Sequence, residues 1–246
     1  MESYGSEKVL PYNQEERKSA QIKRMFDDIA DKYDRLNHIL SFQIDKLWRK
    51  KGIASLRPYA PKVILDIATG TGDLAISLCE DLQPDRIIGA DISLGMMDVG
   101  QKKVAKAGYA NRISFEQQDC MALTYADDSF DAVTSAFGIR NFEHIEQGIA
   151  EMYRVLKPNG HIMILELSTP ESFPMRPLYR FYAGTVIPFV GRIVSRKKSA
   201  YNYLPASIRA VPQGKVMTDL LRRQGFRDAQ AQTLTFGICS LYTGTK

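Results

Sequence analysis

Apolar positions in the first 57 residues recur at helical spacing. Ile22, Met25, Phe26, Ile29 and Tyr33, then Leu36, Ile39 and Leu40, fall three or four residues apart, which aligns them along one face of a helix. Amphipathic N-terminal helices follow. From residue 62 to about 169 short apolar runs, Val63 to Ile67, Ile87 to Ala90, Ile113 to Glu116, Phe130 to Ser135 and His161 to Leu167, alternate with longer helix-patterned segments. Strands alternating with helices predict an α/β fold around a parallel sheet. Asp91-Ile92-Ser93 opens one helix, and Lys157-Pro158-Asn159-Gly160 closes another, with Gly160 as the helix-ending residue. After Thr169-Pro170 the pattern loosens, then predicts a helix from about Lys215 to Gln224. The runs Ala229 to Leu234 and Ile238 to Thr243 are expected to pair as an antiparallel edge around Phe236-Gly237. Neither a repeat nor a linker divides the chain, so residues 1–246 are read as one domain in three zones: 1–57, 62–169 and 170–246.

Composition narrows the class. With 246 residues, 44% hydrophobic and 25% charged, a domain of this size buries a core without metal or disulfide staples. Cys79, Cys120 and Cys239 are far apart and only three histidines accompany them, a poor inventory for zinc. No metal is expected. Residues 1–21 are polar, lacking the apolar core of a secretory signal, and Tyr182 to Val194 is too short and too broken by Gly, Pro and Arg to span a bilayer. A cytoplasmic protein is the expectation.

The segment Val63-Ile64-Leu65-Asp66-Ile67-Ala68-Thr69-Gly70-Thr71-Gly72-Asp73-Leu74 joins a buried strand to a helix start through small residues. Gly70 and Gly72 let the backbone approach a ligand, and the helix N-terminus offers unpaired N–H groups. Two cofactors compete, because Gly70-Thr71-Gly72-Asp73-Leu74-Ala75 also satisfies a relaxed dinucleotide fingerprint. Three carboxylates decide between them. Asp66 ends the first strand, where it would repel a pyrophosphate but suits the cationic methionine part of S-adenosyl-L-methionine. Asp91 ends the second strand and is placed for the ribose hydroxyls. Asp119 follows the third, placed for an adenine amino group, with the Cys120 N–H as a donor to the ring. An NAD-dependent reductase is the rival, opposed by Asp66, Asp119 and the lack of a recognisable Tyr-x-x-x-Lys pair.

With these residues the chain resembles a class I S-adenosylmethionine-dependent methyltransferase, which implies a Rossmann-like, mostly parallel seven-stranded sheet with an antiparallel C-terminal strand. The resemblance narrows with the run from Phe26 to His38 (FDDIADKYDRLNH), Phe137-Gly138-Ile139-Arg140-Asn141, and the run from Met152 to Gly160 (MYRVLKPNG). Together these resemble the ubiquinone/menaquinone biosynthesis C-methyltransferase (UbiE/MenG) family from about residue 15 onward. The family implies methylation of a prenylated quinol on ring carbon, demethylmenaquinol or the related benzoquinol, with cofactor contacts at Thr71, Asp91, Asp119 and Cys120. Two departures stand out. Ala136 replaces a serine found in some members, removing one side-chain hydrogen bond to the cofactor. Ala68 occupies the first glycine position of the general pattern, so the turn there is expected to avoid positive φ.

Methylation of a quinol carbon needs electron density at that carbon, which a deprotonated hydroxyl supplies, yet a phenol's pKa is near 10. Arg140 is the candidate for stabilising the developing phenolate, and Asn141 and Tyr33 for orienting the hydroxyl or a water that takes its proton. Asp34 and His38 are the alternative proton acceptors. The net charge of +5 is uneven: from Glu171 onward 12 Lys and Arg face three acids. That surplus, including Arg192, Arg196, Lys197 and Lys198, surrounds the apolar stretch, so this segment is expected to cover the substrate pocket and rest on anionic lipid. No nucleic-acid module or exocyclic-amine methylation signature is present, so no nucleic-acid partner is expected. A homodimer is compatible with the sequence.

Overall fold

In the strands that form the core, alternate residues go to opposite faces. Leu65 and Ile67 pack on one side, with Ile145, Ile149 and Met152; Ile64 packs on the other, with Trp48, Ile53 and Leu78. The computed structural model describes residues 3–186 and 198–246, the side chains of Leu36 and His38 among those outside it. Arg192, Arg196, Lys197, the Lys198 side chain and the Ile187 to Val194 part of the apolar stretch therefore lie outside the described residues.

The described residues form a seven-stranded sheet of order β3-β2-β1-β4-β5-β7-β6. Its strands are β1 (Val63–Ile67), β2 (Arg86–Asp91), β3 (Ile113–Gln117), β4 (Phe130–Ala136), β5 (Leu156–Leu167), β6 (Arg227–Leu234) and β7 (Cys239–Thr245). The first five pair in parallel, and β7 runs antiparallel to both β5 and β6. Helices α1 (Lys18–Leu40), α2 (Ile44–Leu56), α3 (Asp73–Leu82), α4 (Leu94–Ala107), α5 (Ile145–Val155), α6 (Met175–Phe181), α7 (Lys198–Ala210) and α8 (Lys215–Arg223) complete it. The sheet order reverses between β1 and β4, and in open α/β sheets ligands bind beyond the strand ends at such a switch point.

Four local expectations need correction. The two late strands do not both lie at the edge: β7 inserts between β5 and β6, which gives it a pairing partner on each side. The β3–β4 connection, 118–129, holds no helix. Helix α5 ends at Val155, well before Gly160; Asn159 takes the positive φ, 63°. Glycine is needed at 160 for room, since a Cβ there would lie 2.8 Å from the Lys157 carbonyl oxygen. Ile39, expected on the apolar face, is 46% exposed, whereas Ile22 and Met25 are buried.

Candidate active site

The loop after β1 carries three residues in the left-handed region: Ala68 at φ 54°, Gly70 at 56° and Gly72 at 78°. Ala68 thus contradicts the expectation of a negative φ. An alanine there costs roughly 1–2 kcal/mol, and the surroundings hold it: Thr69 N–H donates to the Ala90 carbonyl at 3.2 Å and Gly72 N–H to that of Thr69 at 3.0 Å. Gly138 packs so closely that a Cβ on it would come within 2.5 Å of the Ala68 methyl. Gly72 cannot be replaced without strain either, because its Cβ would meet the Phe115 ring at 2.8 Å.

Asp66 is fully buried and accepts from the hydroxyls of Thr69 at 2.6 Å and Thr134 at 2.7 Å. Burial pushes its carboxyl up to about 6, the two hydroxyls holding it back from rising further. Asp91, at the end of β2, accepts from Gly70 N–H at 2.8 Å and Ser93 N–H at 2.9 Å, so it couples the glycine loop to the start of α4. Asp119 accepts from Met121 N–H at 3.0 Å. Burial, with Asp119 and Asp91 nearby, raises the Cys120 thiol well above its ordinary range, which makes it a poor nucleophile.

A cavity of about 750 Å³ runs beyond the ends of β1, β2 and β3, bordered by Gly70, Asp91, Asp119 and Cys120 and roofed by Ile22 and Phe26 of α1. A second chamber of about 1060 Å³ adjoins it, bordered by Asp66, Thr69 and Thr71 at one end and by Leu40, Trp48 and Ile208 elsewhere. The two meet at Tyr33, Ala68, Gly70, Ala136 and Phe137, which border both. The residues fit S-adenosylmethionine: acceptor carboxylates and apolar walls around the first cavity suit a nucleoside, and Asp66, bordering the adjoining chamber beside Thr69 and Thr71, suits a cationic amino acid.

Arg140 is 5% exposed and borders the second chamber. Its Nη1 donates to Glu166 Oε1 at 2.9 Å and to the Phe137 carbonyl, and its backbone N–H donates to Glu166 Oε2 at 3.1 Å. Burial opposes the charge, but Glu166, together with the Tyr33 and Tyr203 phenols, offsets it, and the guanidinium stays protonated. Asn141 Oδ1 accepts from the Tyr203 hydroxyl at 3.1 Å. Tyr33 packs edge-to-face on Phe26, and burial raises its phenol. Asp34 does not stand ready to take a proton: it accepts from the Thr71 hydroxyl and is ion-paired to Lys103, which also holds Asp73. The His38 side chain lies outside the described residues.

Several residues at the site escaped the sequence reading. Glu166 was visible as a lone charge in the apolar run Ile162 to Leu167. Asp45 and Arg49, buried, paired at 2.7 Å and bordering the second chamber, carried the signal of an i, i+4 pair. Tyr179 borders the same chamber from the C-terminal third, where no periodic pattern marked it; Tyr182, which opens the apolar stretch expected over the substrate pocket, and Ile238, which opens a predicted strand run, border it as well.

A family model described as the ubiE/COQ5 methyltransferase family matches residues 14–246. A demethylmenaquinone methyltransferase of Bacteroides fragilis is 53% identical over 244 residues, covering 99% of this chain and 100% of that protein. A ubiquinone/menaquinone biosynthesis C-methyltransferase UbiE of Geobacter sulfurreducens is 44% identical over 230 residues, covering 93% and 90%. Among solved structures, a SAM-dependent methyltransferase from Thermotoga maritima aligns with a TM-score of 0.62 at 18% identity, over 91% of this chain and 99% of that one. This last likeness shows the fold. The matches remove the reductase reading of the glycine loop. By sequence along almost its whole length the chain belongs to the ubiE/COQ5 methyltransferase family and is an S-adenosylmethionine-dependent methyltransferase.

Proposed function

We propose that this chain methylates a ring carbon of a prenylated quinol, demethylmenaquinol, to give menaquinol. The observation that carries the reading is the second chamber. Its apolar lining, including Leu40, Trp48, Phe137, Leu167 and Ile238, adjoins the cofactor cavity across Tyr33 and Phe137, as transfer from a cofactor to an apolar ring requires.

S-adenosylmethionine, when bound, supplies an electrophilic methyl group on sulfonium. Asp91 would accept hydrogen bonds from the ribose hydroxyls, Asp119 and the Cys120 N–H would meet the adenine, and Asp66, Gly70, Thr71 and Gly72 would hold the methionine part. Arg140, kept charged by Glu166, favours the phenolate form of the acceptor, while Asn141 and Tyr33 orient its hydroxyl. Holding the ring carbon in line with the methyl contributes through effective concentration. In this division of labour residues 1–57 roof the site, 62–169 bind cofactor, and 170–246 close the acceptor side.

Incubation with adenosylmethionine and chemically reduced demethylmenaquinone, followed by mass spectrometry, tests the reading. Gain of one methyl is expected; no product with cofactor bound would overturn it. The benzoquinol run in parallel decides between the two ring systems.

A lipid surface is the proposed source of the prenylated acceptor. Phe42, Phe181 and Phe236 are 75%, 64% and 75% exposed; Phe42 packs against Tyr182, and Phe181 and Phe236 adjoin Tyr182 and Ile238 closely in sequence, both of which border the chamber. No helix among the described residues is long and apolar enough to cross a membrane. Sedimentation with anionic vesicles stronger than with neutral ones is the expected result, and equal binding would exclude the electrostatic part.

A further inference from the structure

Lys18 opens α1, where a cation opposes the helix dipole, and it is only 3% exposed. Burying an ammonium is costly unless its protons are all taken. Here its Nζ donates to three backbone carbonyls, Ser6 at 2.7 Å, Arg140 at 3.1 Å and Phe142 at 3.1 Å. These belong to the N-terminal turn Gly5–Lys8 and to the strand-end turn Ile139–Asn141 with the residue after it. The next residue, Ser19, borders the cofactor cavity, as do Asn141 and Phe142.

We infer that Lys18 is a positioning residue for methyl transfer, its ammonium locking the start of the α1 roof to the turn that carries Arg140 and Asn141. A neutral amine has only two N–H donors, so the third carbonyl would face a lone pair. The lock therefore needs the proton. Burial lowers this ammonium to about 8, with Glu7 and Glu143 favouring the charge and Arg140 opposing it. A cation that merely filled space here would be replaced without loss by an apolar chain of similar length.

The inference rests on the methyl-transfer reading, and the test separates the two. Lys18→Met, with Lys18→Arg beside it, is compared with wild type for Tm, adenosylmethionine affinity, kcat and KM, and hydrogen exchange over residues 139–142. Lys18→Met is expected to fold, to exchange faster at that turn and to lose roughly tenfold to a hundredfold in kcat, as small misplacements at a reacting centre do. Lys18→Arg, which keeps charge and donors in a planar fork, recovers part of the loss. Folded Lys18→Met with wild-type kcat and unchanged exchange overturns the inference. Should Lys18→Met not fold, Lys18→Arg carries the test: reduced kcat with faster exchange supports the lock, and wild-type values of both overturn it. Wild-type protein that binds cofactor but does not methylate the quinol refutes the acceptor instead; cofactor affinity and exchange still report on Lys18.

Discussion

Arg140 and Glu166 form a buried ion pair of 2.9 Å, and the same carboxylate accepts the Arg140 backbone N–H at 3.1 Å. One side chain thus fixes both the charge and the main chain of the residue proposed to favour a phenolate. The guanidinium borders the chamber with Glu166 as its partner, so in the proposed mechanism it meets the acceptor as a fixed, pre-oriented charge.

Glu166→Gln should therefore be harmful twice over. Leaving the buried guanidinium uncompensated is expected to cost about 3–5 kcal/mol of stability, read as a lower Tm, and kcat should fall while adenosylmethionine affinity changes little. Thermal denaturation paired with steady-state kinetics checks both. Arg140→Lys and Tyr33→Phe belong to the same series: unchanged turnover with intact cofactor binding would remove either from the mechanism.

Asp91→Ala removes the acceptor shared by Gly70 and Ser93 N–H and the proposed partner of the ribose. Loss of hydrogen bonds to a charged group is worth about 2 kcal/mol, so adenosylmethionine should bind roughly thirtyfold more weakly by titration calorimetry. Affinity within twofold of wild type would place the ribose elsewhere.

Asp66 gives a pH signature. Its folded value of about 6 lies above the ordinary 3.8, so between those values the folded state binds more protons than the unfolded one. Its contribution to stability is fully present below pH 3.8 and is lost as pH rises through about 6, by roughly 3 kcal/mol at most. Asp66→Asn should accordingly gain stability relative to wild type between pH 4 and 7, measured by denaturant unfolding at each pH, while binding adenosylmethionine more weakly. A stability difference independent of pH over that window would contradict the assignment.

Gly72→Ala should destabilise by roughly 2–5 kcal/mol, the sum of a left-handed alanine and overpacking against Phe115. Phe115→Leu in the same chain should restore part of the stability. Denaturant midpoints of the single and double variants test the coupling; strict additivity would show that backbone strain acts alone.

Much of the site was legible because parallel strands share a polarity. Strands that alternate with helices must place their C-terminal ends on one edge of the sheet, so Asp66 near the end of β1, Asp91 at the end of β2 and Asp119 just after β3 come to two adjoining cavities on that edge. Local spacing suffices for that. Pairings across elements were not legible: Lys103 with Asp34, Glu166 with Arg140, and Lys18 with the Arg140 carbonyl join residues 69, 26 and 122 apart. No periodicity encodes such contacts, since they depend on how helices sit over the sheet.

The amino-acid sequence by itself determined the α/β class, the glycine loop and the three carboxylates, because these follow from local patterns repeated in register. Tertiary structure alone decided the insertion of β7 between β5 and β6, the left-handed Ala68 and the matched charge on Arg140. Each of those is set by a neighbour distant in sequence: β5 pairs with β7, Gly138 packs on Ala68, and Glu166 lies beside Arg140. Only the packed fold brings such neighbours together.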